Sequence, residues 1–270
     1  MDGNPVDHVD EFLASLQVVS RTGILDVKLV DTFIHTIGTL AAQGPEMCER
    51  IGSNGGIEFM IASMPTFYSN SGYISHEYQH YDVLVAIEKL LSTTGNVELF
   101  CDLDGFRYVR NFTIWFHQNA EIQMAAMKIV NTVIQTNPYS YNEIGDQTAI
   151  RLLLEQFHYH SSDAEVVQAA FVTMNHIGVN GGSIEVINKL GALGEFLKAM
   201  TTHKFDQTIQ KNGMEIMLQL LRNKVNCYSQ QPNFLLVILT AMLNHIADED
   251  ITQLGVGILW HVHETEKLRI

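Results

Sequence analysis

Between widely spaced glycines, apolar residues recur along this chain at three- and four-residue intervals, the period of amphipathic helices. The segment from Glu121 to Val133 sets a template. Ile122 starts it, the small Ala126 follows four residues later, and Ile129, Val130 and Val133 stand at seven, eight and eleven. The template returns as Val166, Ala170, Thr173, Met174, Ile177, then as Ile209, Gly213, Ile216, Met217, Leu220, and again as Ile251, Gly255, Ile258, Leu259, Val262. The starts are 44, 43 and 42 residues apart. A period this steady predicts a stack of helical units, each burying the face its neighbour leaves open. Another apolar helix opens 21 residues before each small residue, at Gly105, Ala149, Ala192 and Phe234, so each unit carries a helix on either side of a polar turn.

A histidine marks that turn in each copy, as His117, His160, His203 and His245. Stacked helices lie roughly 10 Å apart, too far for one ion to bridge neighbouring units. The expected role is therefore structural, an imidazole bonding the last carbonyls of its own helix. Toward the N-terminus the pattern loosens. Asp82, Ala86 and Leu90 fit one copy, preceded by a helix opening at Gly55-Gly56-Ile57, but about nine extra residues separate them. Leu29, Phe33, Ile37 and Leu40 fit one more, with Val9 to Val19 as a cap helix. The reading is a single domain: a cap over residues 1–24, about five repeats over 25–264 with an insertion near 65–81, and a tail at 265–270.

The phrase Gly55-Gly56-Ile57-Glu58-Phe59-Met60 resembles the opening of the second helix of an armadillo repeat, and Ile209-Gln210-Lys211-Asn212-Gly213 resembles that of the third. Ala199-Met200, His203, Ile209-Gln210 and Gly213 are similar in style to the armadillo regions of leucine-rich-repeat kinases and of armadillo-repeat-containing protein six. The resemblance implies an all-α armadillo-type α-solenoid, a right-handed superhelix of three-helix repeats whose third helices line a groove for a peptide or partner helix. Nuclear-import adaptors of this family carry a tryptophan–asparagine ladder there. Lys128, Val172, Glu215 and Gly257 stand at the tryptophan position here, and Thr132, His176, Gln219 and His261 at the asparagine position, so that activity is not implied.

Helical geometry points to the same face. Positions six, ten and thirteen after each start remain when the template positions are buried. They give candidate groove residues Lys128, Thr132, Gln135, Val172, His176, Val179, Glu215, Gln219, Arg222, His261 and Glu264.

Composition narrows the function. Apolar residues make up 46% and charged residues 17%, as in a folded domain, and 16 Lys+Arg against 30 Asp+Glu leave a formal charge of −14. That sign disfavours nucleic acid and favours a protein or peptide with a basic segment. Cys48, Cys101 and Cys227 form no CxxC pair, and the N-terminus lacks the basic-then-apolar order of a secretory signal, which together predict the cytoplasm. The longest apolar run near the C-terminus, Phe234 to Leu239, predicts no membrane insertion.

Two features compete with a bland scaffold. His76-Glu77-Tyr78-Gln79-His80 matches the zinc hydrolase pattern H-E-x-x-H, in which two histidines on one helical face hold the metal and the glutamate serves as general base. Its extended form needs glycine and histidine where Val83 and Ala86 stand, so the expectation is no enzyme, no metal and no cofactor, with a zinc hydrolase as the alternative. The inserted segment crowds Tyr68, Tyr73, Tyr78 and Tyr81 beside serine, asparagine and glycine, the chemistry of adaptable recognition surfaces, making these tyrosines candidate partner contacts. Trp115 and Trp260 lie in apolar runs and are expected in the core, although Ile258, Trp260 and Val262 could instead serve a homodimer through the terminal repeat.

Overall fold

Several helices of the computed structural model start where the sequence supplies a cap or a turn residue, as at Pro45, Gly55, Asn119 and Asp206. Residues 5–22, 27–64, 77–137, 147–179, 183–223, 228 and 231–267 are described. Among them there are fifteen α-helices and no strand, and they fall into two compact units, Met1–Ser140 and Tyr141–Ile270.

The first unit contains α1 (Pro5–Thr22), α2 (Val27–Ala41), α3 (Pro45–Ser53), α4 (Gly56–Ser63), α5 (Glu77–Leu90), α6 (Thr94–Asp102), α7 (Gly105–Trp115) and α8 (Ala120–Thr136). The third helices of successive repeats, α2, α5 and α8, pack side by side. Gly55 turns the chain from α3 into α4 at φ 88, a left-handed conformation that glycine adopts without strain. A Cβ on the following Gly56 would stand 2.4 Å from the Ile51 side chain, so the glycine pair permits the close approach of these helices. Phe33 stacks between Phe12 and Phe59, with centroids 5.1 and 5.3 Å away, tying α1 and α4 to α2.

The second unit contains α9 (Gln147–Tyr159), α10 (Ala164–Val179), α11 (Ser183–Lys189), α12 (Leu193–Thr202), α13 (Gln207–Arg222), α14 (Phe234–Asn244) and α15 (Glu249–Lys267). Third helices α10, α13 and α15 pack in one row, and second helices α9, α12 and α14 in another. Phe157, Phe171 and Phe196 meet at the centre with centroids 4.7 to 5.4 Å apart.

The template positions are buried except Val130 and Leu259, which are half-buried. Ile122, Val166, Ile209 and Ile251 have no exposed surface. The small residue at position four makes room for a methionine of the second helix: a Cβ on Gly213 would lie 2.7 Å from Met200 Sδ, and one on Gly255 2.3 Å from Met242 Sδ. The pattern is less faithful near the N-terminus. Asp82 is exposed and Val83 and Leu84 are buried in its stead, and Leu29 yields to Val30, because each helix turns its apolar stripe inward whatever the repeat register suggests.

Each of the four downstream turns ends on an Asx residue that caps the third helix. Asn119 accepts from Ile122 N at 3.0 Å, Asp163 from Val166 N at 3.3 Å, Asp206 from Ile209 N at 2.9 Å and Asp248 from Ile251 N at 3.0 Å. Three residues before the cap stand His160, His203 and His245, but Phe116 in the first copy, so His117 sits one place late in the turn. The histidines also bond differently from the expectation. His117 Nδ1 does meet a carbonyl of its own helix, Ile114 O, at 3.3 Å. His203 Nε2 instead reaches Ser161 O at 2.8 Å and His245 Nε2 reaches Lys204 O at 3.2 Å, each fastening its turn to the turn of the preceding repeat.

The carbonyls that close the second helices are claimed by glutamine. Gln123 Nε2 donates to Thr113 O and Phe116 O at 3.1 and 2.9 Å, and Gln210 Nε2 to Met200 O and His203 O at 2.9 and 3.0 Å. Both side chains are buried, which explains why the pair isoleucine–glutamine opens the third helix in those repeats.

Candidate functional site

The stripe at positions six, ten and thirteen is unburied wherever its side chains are described. In the first unit Lys128 and Gln135 are exposed on α8 and Thr132 is half-buried, with Lys128 Nζ 4.0 Å from Glu88 Oε1 on α5. In the second unit His176 on α10, Glu215 and Gln219 on α13 and His261 on α15 are half-buried, and Arg222 is exposed. The structure brings Glu215 and Gln219 together but leaves Arg222 and His261 outside their hydrogen bonds.

What joins them is Asn175, a residue outside the expected stripe and nearly buried on α10. Its Nδ2 donates to Asn212 O at 3.0 Å, Asn212 Oδ1 at 3.1 Å and Glu215 Oε2 at 3.3 Å, and its Oδ1 accepts from Gln219 Nε2 at 3.3 Å. Gln219 Oε1 is buried without a donor. Asparagine recurs at this register as Asn131 and Asn175, where later copies have Leu218 and Trp260, and that recurrence is the signal by which it could have been found.

Electrostatics sharpen the seam between α10 and α13. Burial raises the Glu215 carboxyl above the ordinary carboxylate range, Asp250 adds to the rise and Lys211 opposes it. Burial also lowers the His176 imidazole, favouring its neutral form. At the N-terminal end of the same row, Gln168 Nε2 donates to Asp206 Oδ2 at 2.8 Å, Gln207 donates to Asp248, and Lys211 Nζ contacts Asp250 Oδ2 at 2.6 Å. The seam is thus a row of acceptors held by neighbouring side chains, with one carboxylate short of solvent.

The other candidates fare differently. Tyr68 and Tyr73 lie outside the described residues, as does His76. Tyr78 and Tyr81 belong to helix α5 and not to a loop, because that helix begins at Glu77; Tyr81 is half-buried. His80 is only 4% exposed, its ring 4.9 Å from Phe112 and 4.8 Å from Phe116 by centroid. An H-E-x-x-H site needs its second histidine open to a metal and a substrate, whereas this one is core. Among the described residues no three His, Cys, Asp or Glu side chains converge as a metal site. Cys48 is a buried free thiol, and Cys227 lies outside the described residues. No described helix is long and apolar enough to cross a membrane. Trp115 and Trp260, expected in the core, are 37% and 57% exposed.

A stack of three-helix repeats with its polar stripe on the third helices defines an armadillo-type α-solenoid, a scaffold fold. The chain belongs to the GAC ARM domain family, whose profile matches residues 27–267. It is similar to the crystal structure of an engineered protein, Northeast Structural Genomics Consortium target OR497, with a TM-score of 0.71 at 13% identity, over 92% of this chain and 58% of that one. A second engineered protein, target OR366, aligns with a TM-score of 0.67 at 14% identity over 93% of this chain and 98% of its own. At such identities the likeness concerns the fold alone. No curated protein matches the sequence.

Proposed function

We propose that this chain is a non-catalytic protein-binding scaffold of the cytoplasm that holds a peptide or partner helix with a basic segment along its third helices. The observation that carries the reading is the seam of Asn175, Glu215 and Gln219, where an acceptor lies buried without a donor and a carboxylate is short of water. A lysine or arginine of the partner would restore the charge balance of the half-buried Glu215. The formal charge of −14 would speed the approach of such a partner and make binding weaken with salt.

The test is fluorescence anisotropy with labelled lysine- and arginine-containing peptides against an acidic control series. Wild type should bind the basic series in a salt-dependent manner. Glu215→Lys should weaken it about tenfold, or about 1.4 kcal/mol, and Gln219→Ala by a smaller factor, with helical circular dichroism unchanged. Equal affinity for basic and acidic peptides, or no response to Glu215→Lys, would end this reading.

A further inference from the structure

The turn between α9 and α10 reads His160-Ser161-Ser162-Asp163, and Ala164 and Glu165 open the next helix. Ser162 therefore has one carboxylate directly after it and another three residues on. No other serine or threonine of the chain has both. At the same place in the other three downstream turns stand Gln118, Phe205 and Ala247, so the repeat itself does not call for a hydroxyl here.

A serine three residues ahead of a glutamate at a helix start has an ordinary explanation, the capping box, in which the hydroxyl caps the helix. The geometry excludes it. The cap is Asp163, whose Oδ1 accepts from Glu165 N at 3.1 Å and from Val166 N at 3.3 Å. Ser162 stands outside the cap and is exposed, as is Glu165. Ser161, the other hydroxyl of the turn, is half-buried and has Ser162 and Ala164 where the acids would have to be.

An exposed serine with acids one and three residues on suits a protein kinase with a basic substrate cleft, whose lysines and arginines pair with both carboxylates. We infer that Ser162 is a phosphorylation site for an acidophilic serine kinase. Ser162 Oγ attacks the γ-phosphorus of ATP, the bond from that phosphorus to the β–γ bridging oxygen breaks, the hydroxyl proton passes to the kinase's base, and ADP leaves. The new group, with a charge of about −1.5 to −2, stands beside the N-terminus of α10, where the helix dipole favours an anion.

The neighbouring repeat governs how readily the site is reached. A kinase cleft takes its substrate extended, whereas this turn is closed by Asp163 N donating to His160 O at 2.9 Å and pinned by His203 Nε2 at 2.8 Å from Ser161 O. Transfer thus requires local opening of the turn, and His203 opposes that opening. None of this depends on the peptide-binding reading.

Incubation of the full chain with ATP and casein kinase two, followed by fragment-ion mass spectrometry and initial rates, tests it. One phosphate should enter, on Ser162, and Ser162→Ala should abolish it. Glu165→Gln should slow the reaction about tenfold through loss of one charge-assisted contact. His203→Ala should speed it about threefold by freeing the turn, with helical circular dichroism unchanged in both variants. No incorporation into the folded chain, phosphate on Ser161 or elsewhere in place of Ser162, or a rate indifferent to Glu165→Gln would overturn the site. An unchanged or slower rate in His203→Ala would overturn the role given to the turn.

Discussion

The two units use the same helices but tie them together differently. In the second unit, side chains near the starts of the third helices bridge from repeat to repeat: Gln168 to Asp206, Gln207 to Asp248 and Lys211 to Asp250. In the first unit, the ties among described residues include the longer Lys128–Glu88 pair, Lys89 Nζ to Gly38 O at 3.2 Å, and the buried Asn96, whose Nδ2 bonds Cys48 O and Leu90 O at 2.9 and 2.8 Å. The capping aspartates make the difference. A carboxylate has oxygens enough to cap its own helix and to accept from the neighbouring one as well, while the amide at Asn119 presents a single oxygen to Ile122. One acidic position therefore serves both local structure and stacking in the second unit.

Substitutions should widen or close this contrast. The largest effect is steric and specific to the second unit. Gly213→Leu drives a side chain into Met200 and Phe171, and should destabilise by about 3 kcal/mol, read as a lower urea midpoint; adding Met200→Ala should recover much of the loss, as contacting sites do not add. Next come the buried glutamines, common to both units. Gln123→Ala and Gln210→Ala each strip the donor from two carbonyls and should cost about 2 kcal/mol apiece. A large inequality between them would mean that the shared device is not equivalent.

The caps test the comparison directly. Asn119→Ala should cost about 1 kcal/mol, and Asp206→Ala measurably more, because it also releases Gln168; removing Gln168 first should bring the two costs together. The smallest effect is pH-dependent. Glu215 has its folded-state proton affinity raised by burial, so the stability it contributes is present below the ordinary carboxylate range and lost as pH rises to the higher folded value. At neutral pH the charged form is a net cost. Glu215→Gln should therefore raise stability at pH 7 by no more than about 0.5 kcal/mol, discounted for its partial exposure, and match wild type in acid.

Much of this was written in the chain. The buried positions of α8, α10, α13 and α15 follow from apolar periodicity, because a helix must hide such a stripe somewhere, and Gly213 and Gly255 announce a close approach. The third-helix stripe was legible by subtraction. Asn175 was not, since a polar residue that becomes buried by bonding a neighbouring repeat breaks the pattern that finds cores. The Asx caps were not legible for a related reason: they lie just outside the periodic segments. Trp260 shows the complementary limit. Periodicity tells which residues share a face, not whether another repeat covers it. His80 shows that a motif states residue types and spacing but not exposure.

The fastened turns carry a consequence for how this chain can vary. Where a histidine or phenylalanine stands three residues ahead of the capping Asx, the second and third helices are always joined by four residues, in all four turns from α7 to α15. Between α4 and α5 thirteen residues intervene. A stitched hinge allows no slack, because one added residue would pull the cap off its helix or the imidazole off the adjoining carbonyl. Mutagenesis by insertion should find all four of these turns unforgiving.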